Sequence, residues 1–237
     1  MNSQRAHLRI LDSKDWVWIF VYAIILLLDI FFIHQDLDSY RAFSKPSLMA
    51  TLLIVLWNTA NYKHKYAFRL HFLALFLSWV GDIILLTDLF LTGLIAFLWA
   101  HISYMFLMAN IGIKLKGFHF WIRAILTLLI GVVVGYYIGH FHADFQWPIL
   151  IYTVVILMML QFSSLVRPYS GLIIGGAIFF VISDFLLAYG RFIPPLDWHI
   201  LATWKPELVM LTYGIAQLLL LLGFRAAGRR YLFSKFS

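Results

Sequence analysis

The stretch Leu77–Asp88 reads LSWVGDIILLTD. It closes a long apolar run, yet it carries Asp82 where a segment facing hydrocarbon would keep only apolar side chains. A charged carboxylate in lipid costs several kcal/mol, so such a residue faces a bundle interior or a wet cavity and has partners. Further along, FFVISDFLLA does the same with Asp184. Two intramembrane aspartates imply several packed helices rather than a lone anchor.

Composition agrees. The chain has 237 residues, 63% of them hydrophobic and 12% charged, with a mean hydropathy of +0.88. A soluble domain of this length needs far more polar surface. The sequence has no cysteine, which excludes a disulfide framework, a thiol nucleophile and a Cys-ligated metal. The net charge of +7 comes from short basic clusters between apolar runs. That pattern belongs to membrane topology and not to nucleic-acid binding. Gly-rich phosphate loops, zinc-finger spacings and low-complexity segments are absent.

Apolar runs bounded by charges or turn residues predict eight transmembrane helices near 16–33, 46–61, 67–87, 89–111, 118–139, 146–166, 171–190 and 207–224. Most approach the ~20 residues that cross the hydrocarbon core. The connections are short, so residues 1–237 read as one integral membrane domain, an all-α polytopic bundle. The first helix follows Arg5, Arg9 and Lys14 and precedes DIFFIHQD rather than a small-residue cleavage site, so it reads as a retained anchor. With eight spans, one side collects Arg5, Arg9, Lys14, Lys63, Lys65, Arg69, Lys114, Lys116, Arg123, Arg167, Arg225, Arg229, Arg230 and Lys235, 14 of the 18 basic residues. The other side holds Arg41, Lys45, Arg191 and Lys205. The positive-inside rule then predicts both termini in the cytoplasm.

Under this topology the third and seventh helices both run outward, with Asp82 ~7–8 Å and Asp184 ~9 Å below their outer ends. The two contexts, WVGDIILL and VISDFLLA, match loosely, as in a weak parallel repeat. His71, Ser78 and Asp82 are spaced by seven and four and share a face. His101 and Tyr104 share another, and Tyr213 and Gln217 a third. Lys45-Pro46 and Lys205-Pro206 open the second and eighth helices, where proline suits the first turn and each lysine reaches the outer rim. His71 reads as interfacial, and Asp29 as snorkelling from the first helix.

The ordered set FSKPSLM, LSWVGDIILL, FLWAHISYMF, GGAIFFVISDFLLA and VMLTYGIAQLLL resembles the YhhN-like lysoplasmalogenase family of eight-helix membrane proteins, from about Ser44 to Leu222. The motif positions are Lys45, Pro46, Gly81, Asp82, His101, Tyr104, Ser183, Asp184, Tyr213 and Gln217. The resemblance implies hydrolysis of the vinyl ether bond of a lysophospholipid substrate, giving a fatty aldehyde and a glycerophospho-headgroup.

The chemistry needs a proton delivered to the alkene carbon, then water attacking the oxocarbenium ion, and no metal or redox cofactor. Two carboxylates in a low-dielectric cleft suit it, one neutral as acid and one ionised to orient water, as in glycosidases. Asp82 and Asp184 are the expected catalytic pair, with the acid and base roles open. Lys45 is expected to meet the substrate phosphate. His101, Tyr104, Ser183, Tyr213 and Gln217 are expected to line or support the site. The alternative is a transporter or lipid-handling protein whose paired aspartates bind protons or cations. A zinc hydrolase finds too few converging histidines. The expected membrane is the inner membrane of a bacterial cell, or the endoplasmic reticulum of a eukaryotic one.

Overall fold

A computed structural model describes residues 13–58, 65–112, 118–141, 143–166, 170–192 and 205–233. Among them are eight α-helices: α1 (Ser13–His34), α2 (Asp38–Trp57), α3 (Lys65–Ile84), α4 (Phe90–Gly112), α5 (Phe118–Gly139), α6 (Gln146–Ser163), α7 (Ser170–Phe192) and α8 (Lys205–Phe233). No strand occurs among the described residues. Seven of the helices, all but α2, are long and apolar enough to cross a membrane. The chain is a polytopic membrane helical bundle. The side chains of Arg5, Arg9, Lys14, Lys63, Lys65, Lys114, Lys116, Arg167, Lys205, Arg229, Arg230 and Lys235 lie outside the described residues.

The second helix departs most from expectation. It begins at Asp38, well before Pro46, which therefore sits in the helix interior. A tight turn sets this start: Asp36 takes φ 53°, a left-handed conformation in which aspartate is enriched. The first turns of α2 are too polar to read as lipid-facing. Ser44, Lys45 and Thr51 face protein instead: they are buried with Leu48, Met49, Leu52, Val55 and Leu56, a helical stripe along one side. The Trp79 indole N–H donates to the Pro46 carbonyl at 2.9 Å, tying α3 to α2.

Sequential hairpins α1–α2, α3–α4, α5–α6 and α7–α8 pack together, and further contacts α2–α3, α4–α6, α6–α7 and α8–α1 close a ring. Helix α5 stands outside that ring, against α6 and more lightly α7. The α5–α6 pair approaches closely because α5 offers glycine: a Cβ built on Gly135 would lie 2.8 Å from the Leu150 Cα. Small residues are the usual means of bringing two membrane helices together. Gly135→Leu is expected to separate this pair at a cost of ~1–3 kcal/mol. An unchanged melting temperature in detergent would show that the two backbones do not touch.

Helix α8 closes the bundle and runs past the predicted 224 to Phe233. Arg225 on it is buried and its Nη2 donates to Asp15 Oδ2 at 2.8 Å, so an arginine expected among the cytoplasmic charges holds α8 to α1. Helix α3 ends at Ile84 rather than near Thr87. The Thr87 hydroxyl donates to the Ile84 carbonyl at 2.7 Å, satisfying one of the carbonyls left open at a helix end.

Candidate active site

The early end of α3 puts Asp82 in its last turn rather than a turn and a half below the end. A helix C-terminus carries partial negative charge and does not favour a carboxylate. The compensation comes from α2: Lys45 Nζ lies 3.7 Å from Asp82 Oδ1, and both side chains are buried. Lys45 was expected at the outer rim, facing substrate phosphate. Because α2 starts at Asp38, Lys45 lies two turns inside the helix and its charge is turned inward.

The other Asp82 oxygen, Oδ2, accepts from the Tyr213 hydroxyl at 2.7 Å. Tyr213 in turn accepts from Gln217 Nε2 at 3.4 Å, and Gln217 Oε1 accepts from Tyr104 at 2.7 Å. Every donor in the chain Tyr104, Gln217, Tyr213 points toward Asp82, so each bond polarises the next. The face pairing of Tyr213 with Gln217 thus has a direct use, and Tyr104 joins from α4. Gly81 leaves room beside the aspartate; a Cβ there would meet the Phe97 ring at 2.7 Å.

Asp184 is held differently. Its Oδ2 accepts from the Tyr152 hydroxyl at 2.5 Å. His101 Nε2 faces the same oxygen at 3.8 Å and has no hydrogen-bond partner. His101 Nδ1 lies 2.6 Å from the Phe97 carbonyl. A carbonyl only accepts, so Nδ1 carries a proton, and a neutral His101 presents the lone pair of Nε2 to the carboxyl group. Two lone pairs would repel at that separation. The His101–Asp184 pair is therefore satisfied when it holds one proton. Asp184 is also the more open aspartate, its side chain 14% exposed against 2% for Asp82.

Both aspartates line a single cavity of about 200 Å³, together with Lys45, Tyr152, Ser183 and Tyr213. The remaining wall is almost wholly apolar, from Phe90, Leu94 and Phe97 on α4, Ile130, Val134 and Ile138 on α5, and Ile149 and Ile156 on α6. His101, Tyr104 and Gln217 stand behind this wall. Ser183 lines the cavity but spends its hydroxyl on the Val209 carbonyl at 3.0 Å, bracing α7 against α8. Tyr213→Phe is expected to leave the bundle folded and loosen Asp82, costing ~0.5–1.5 kcal/mol of stability; a melting point equal to wild type would show that the hydroxyl is not engaged.

Two expectations are corrected. His71 is fully buried, with the Phe224 ring edge-on at 5.2 Å, and is not interfacial. Its face-sharing with Ser78 and Asp82 holds, since all three are buried. Asp29 is fully buried rather than snorkelling: the Ser44 hydroxyl donates to its Oδ1 at 2.5 Å and Arg41 Nε lies 3.9 Å from the same atom. Lys205 lies at the start of α8, and its side chain is outside the described residues. Tyr152 was missed. It sits alone among apolar residues of α6 and resembles any core tyrosine until α7 brings Asp184 beside it. Among the described residues no group of three histidines, aspartates or glutamates converges as a metal site.

A ring of apolar helices around a pair of carboxylates on one cavity defines an α-helical integral membrane protein with an intramembrane polar site. The chain belongs to the YhhN family, whose model matches residues 40–224. No curated protein and no solved structure matches it.

Proposed function

We propose that the protein is a membrane hydrolase that cleaves the vinyl ether bond of lysoplasmalogen to a fatty aldehyde and a glycerophospho-headgroup by carboxylate acid and base catalysis. The observation that carries this reading is the unequal environment of two aspartates on one apolar cavity: Asp82 has an ammonium partner, while Asp184 has a tyrosine hydroxyl and faces a histidine at 3.8 Å. Pairs of carboxyl groups held in unlike surroundings divide acid and base roles.

Asp184 is the acid. It delivers its proton to the vinyl carbon remote from the ether oxygen, and the double-bond electrons form the new C–H bond. The carbon attached to oxygen becomes an oxocarbenium ion, stabilised by the ionised Asp82. Water adds to that carbon and loses a proton to a carboxylate. The hemiacetal then breaks its C–O bond, the departing glycerol oxygen takes a proton, and the aldehyde is released. Lys45 keeps Asp82 ionised, and Tyr213 and Tyr152 fix the carboxyl orientations. Apolar walls from α4, α5 and α6 receive the hydrocarbon chain. The bias of basic residues supports both termini in the cytoplasm, with the cavity opening toward the opposite face.

The test is direct. Detergent-purified protein is incubated with ethanolamine lysoplasmalogen and with the matching acyl lysophospholipid, and products are read by mass spectrometry. Aldehyde from the vinyl ether, without fatty acid from the ester, is the expected result. Intact lipid in both reactions from a folded sample would overturn the assignment.

A further inference from the structure

We propose that Arg191, at the end of α7, binds the phosphate of a single-chain lipid whose hydrocarbon tail occupies the cavity. The proposal deepens the preceding reading by assigning the headgroup subsite, and it rests on the cavity being a lipid site.

The charge that sequence reasoning gave to the headgroup, Lys45, is already engaged by Asp82. Arg41 is likewise engaged, with Asp29 at 3.9 Å and Asp38 at 3.8 Å. Arg191 differs: among the described residues it has no carboxylate within ion-pair distance. Its guanidinium lies over the Phe90 ring, 4.8 Å from the centroid. Phe90 and Phe192, the residue after Arg191, both line the cavity. The one uncommitted cation described at this end is thus fastened to the cavity wall.

The register on α7 fits a lysophospholipid. Asp184 and Arg191 are seven positions apart, two helical turns along one face, so they are separated by ~10 Å along the axis. The ether bond and the phosphate of such a lipid are separated by the short glycerol unit, and the arginine side chain can swing inward to close the remaining distance. The guanidinium sits 4.8 Å from the Phe90 centroid, and its planar fork matches two phosphate oxygens at once. The apolar lining includes Phe90 and Phe192 beside this charge as well as Ile130 and Ile156 further along the bundle.

The test uses binding rather than turnover. Probes are a 1-O-alkyl lysophosphoethanolamine, which has no vinyl ether to cleave, the matching 1-O-alkyl glycerol without phosphate, and soluble glycerophosphoethanolamine without a chain. The wild-type protein is expected to favour the phosphate-bearing lipid over the alkyl glycerol by roughly 10- to 100-fold. Arg191→Gln is expected to remove that preference while binding the alkyl glycerol as before. Arg191→Lys should keep part of it, and Arg123→Gln, on α5, all of it. A preference that survives Arg191→Gln overturns the assignment, as does a wild-type protein with none. Glycerophosphoethanolamine binding as tightly as the ether lipid overturns the tail's place in the cavity. An Arg191-dependent preference in a protein that releases no aldehyde would retain the anion site and reject hydrolysis. Aldehyde release with an unchanged KM in Arg191→Gln would do the reverse.

Discussion

Asp184→Asn is expected to lower aldehyde release from lysoplasmalogen about 1,000-fold, within the 10²–10⁴ range that a positioned general acid contributes. The amide has nearly the same shape as the carboxyl group and still accepts from Tyr152, whose hydroxyl reaches Asp184 Oδ2 at 2.5 Å. It has no acidic proton to give to carbon. The melting temperature should therefore stay near wild type while turnover collapses. His101→Gln should reduce turnover in the same direction but less, since His101 approaches Asp184 at 3.8 Å without touching substrate-facing space. A folded Asp184→Asn variant that works at the wild-type rate would remove Asp184 from the chemistry.

The second large effect is on stability and concerns Lys45. Lys45→Met leaves Asp82 buried at a helix C-terminus without its cation. Breaking a buried pair from one side costs ~3–5 kcal/mol, because the remaining charge has neither water nor a counter-cation. Adding Asp82→Asn removes that charge, so the double variant should recover most of the lost stability. Activity should not return with it, because the ionised carboxylate that faces the oxocarbenium ion is gone. This thermodynamic cycle separates the structural use of the pair from its chemical use. If the double variant melts as low as Lys45→Met alone, the 3.7 Å approach is not an energetic pair.

Much of the bundle was legible because membrane insertion is a local property of the chain. An apolar run of sufficient length marks a helix whatever the rest of the protein does, and so α5 spans Phe118–Gly139 as read. Helix α2 was misread for the same reason. Its first turns carry Asp38, Arg41, Ser44 and Lys45, which length-and-hydropathy reasoning assigns to a loop. The helix extends through them because Arg41 and Ser44 meet Asp29, and Lys45 meets Asp82, on other helices.

The site divides along the same line. That Asp82 and Asp184 need a protein interior follows from the cost of charge in hydrocarbon, and the sequence alone determined it. It also determined, by helical spacing, that His71, Ser78 and Asp82 share a face and that Tyr213 stands one turn from Gln217. Only the tertiary structure decided who meets whom. Tyr213 reaches Asp82 from 131 residues away, Arg225 reaches Asp15 from 210, and Tyr152 reaches Asp184 from 32. Such pairings carry no period along the chain; they are set by which helices become neighbours and by how far each is rotated and slid against the next. Those same rotations turn Lys45 inward and leave Arg191 over Phe90, which is why the proposed headgroup subsite falls on a different cation from the one the sequence pointed to.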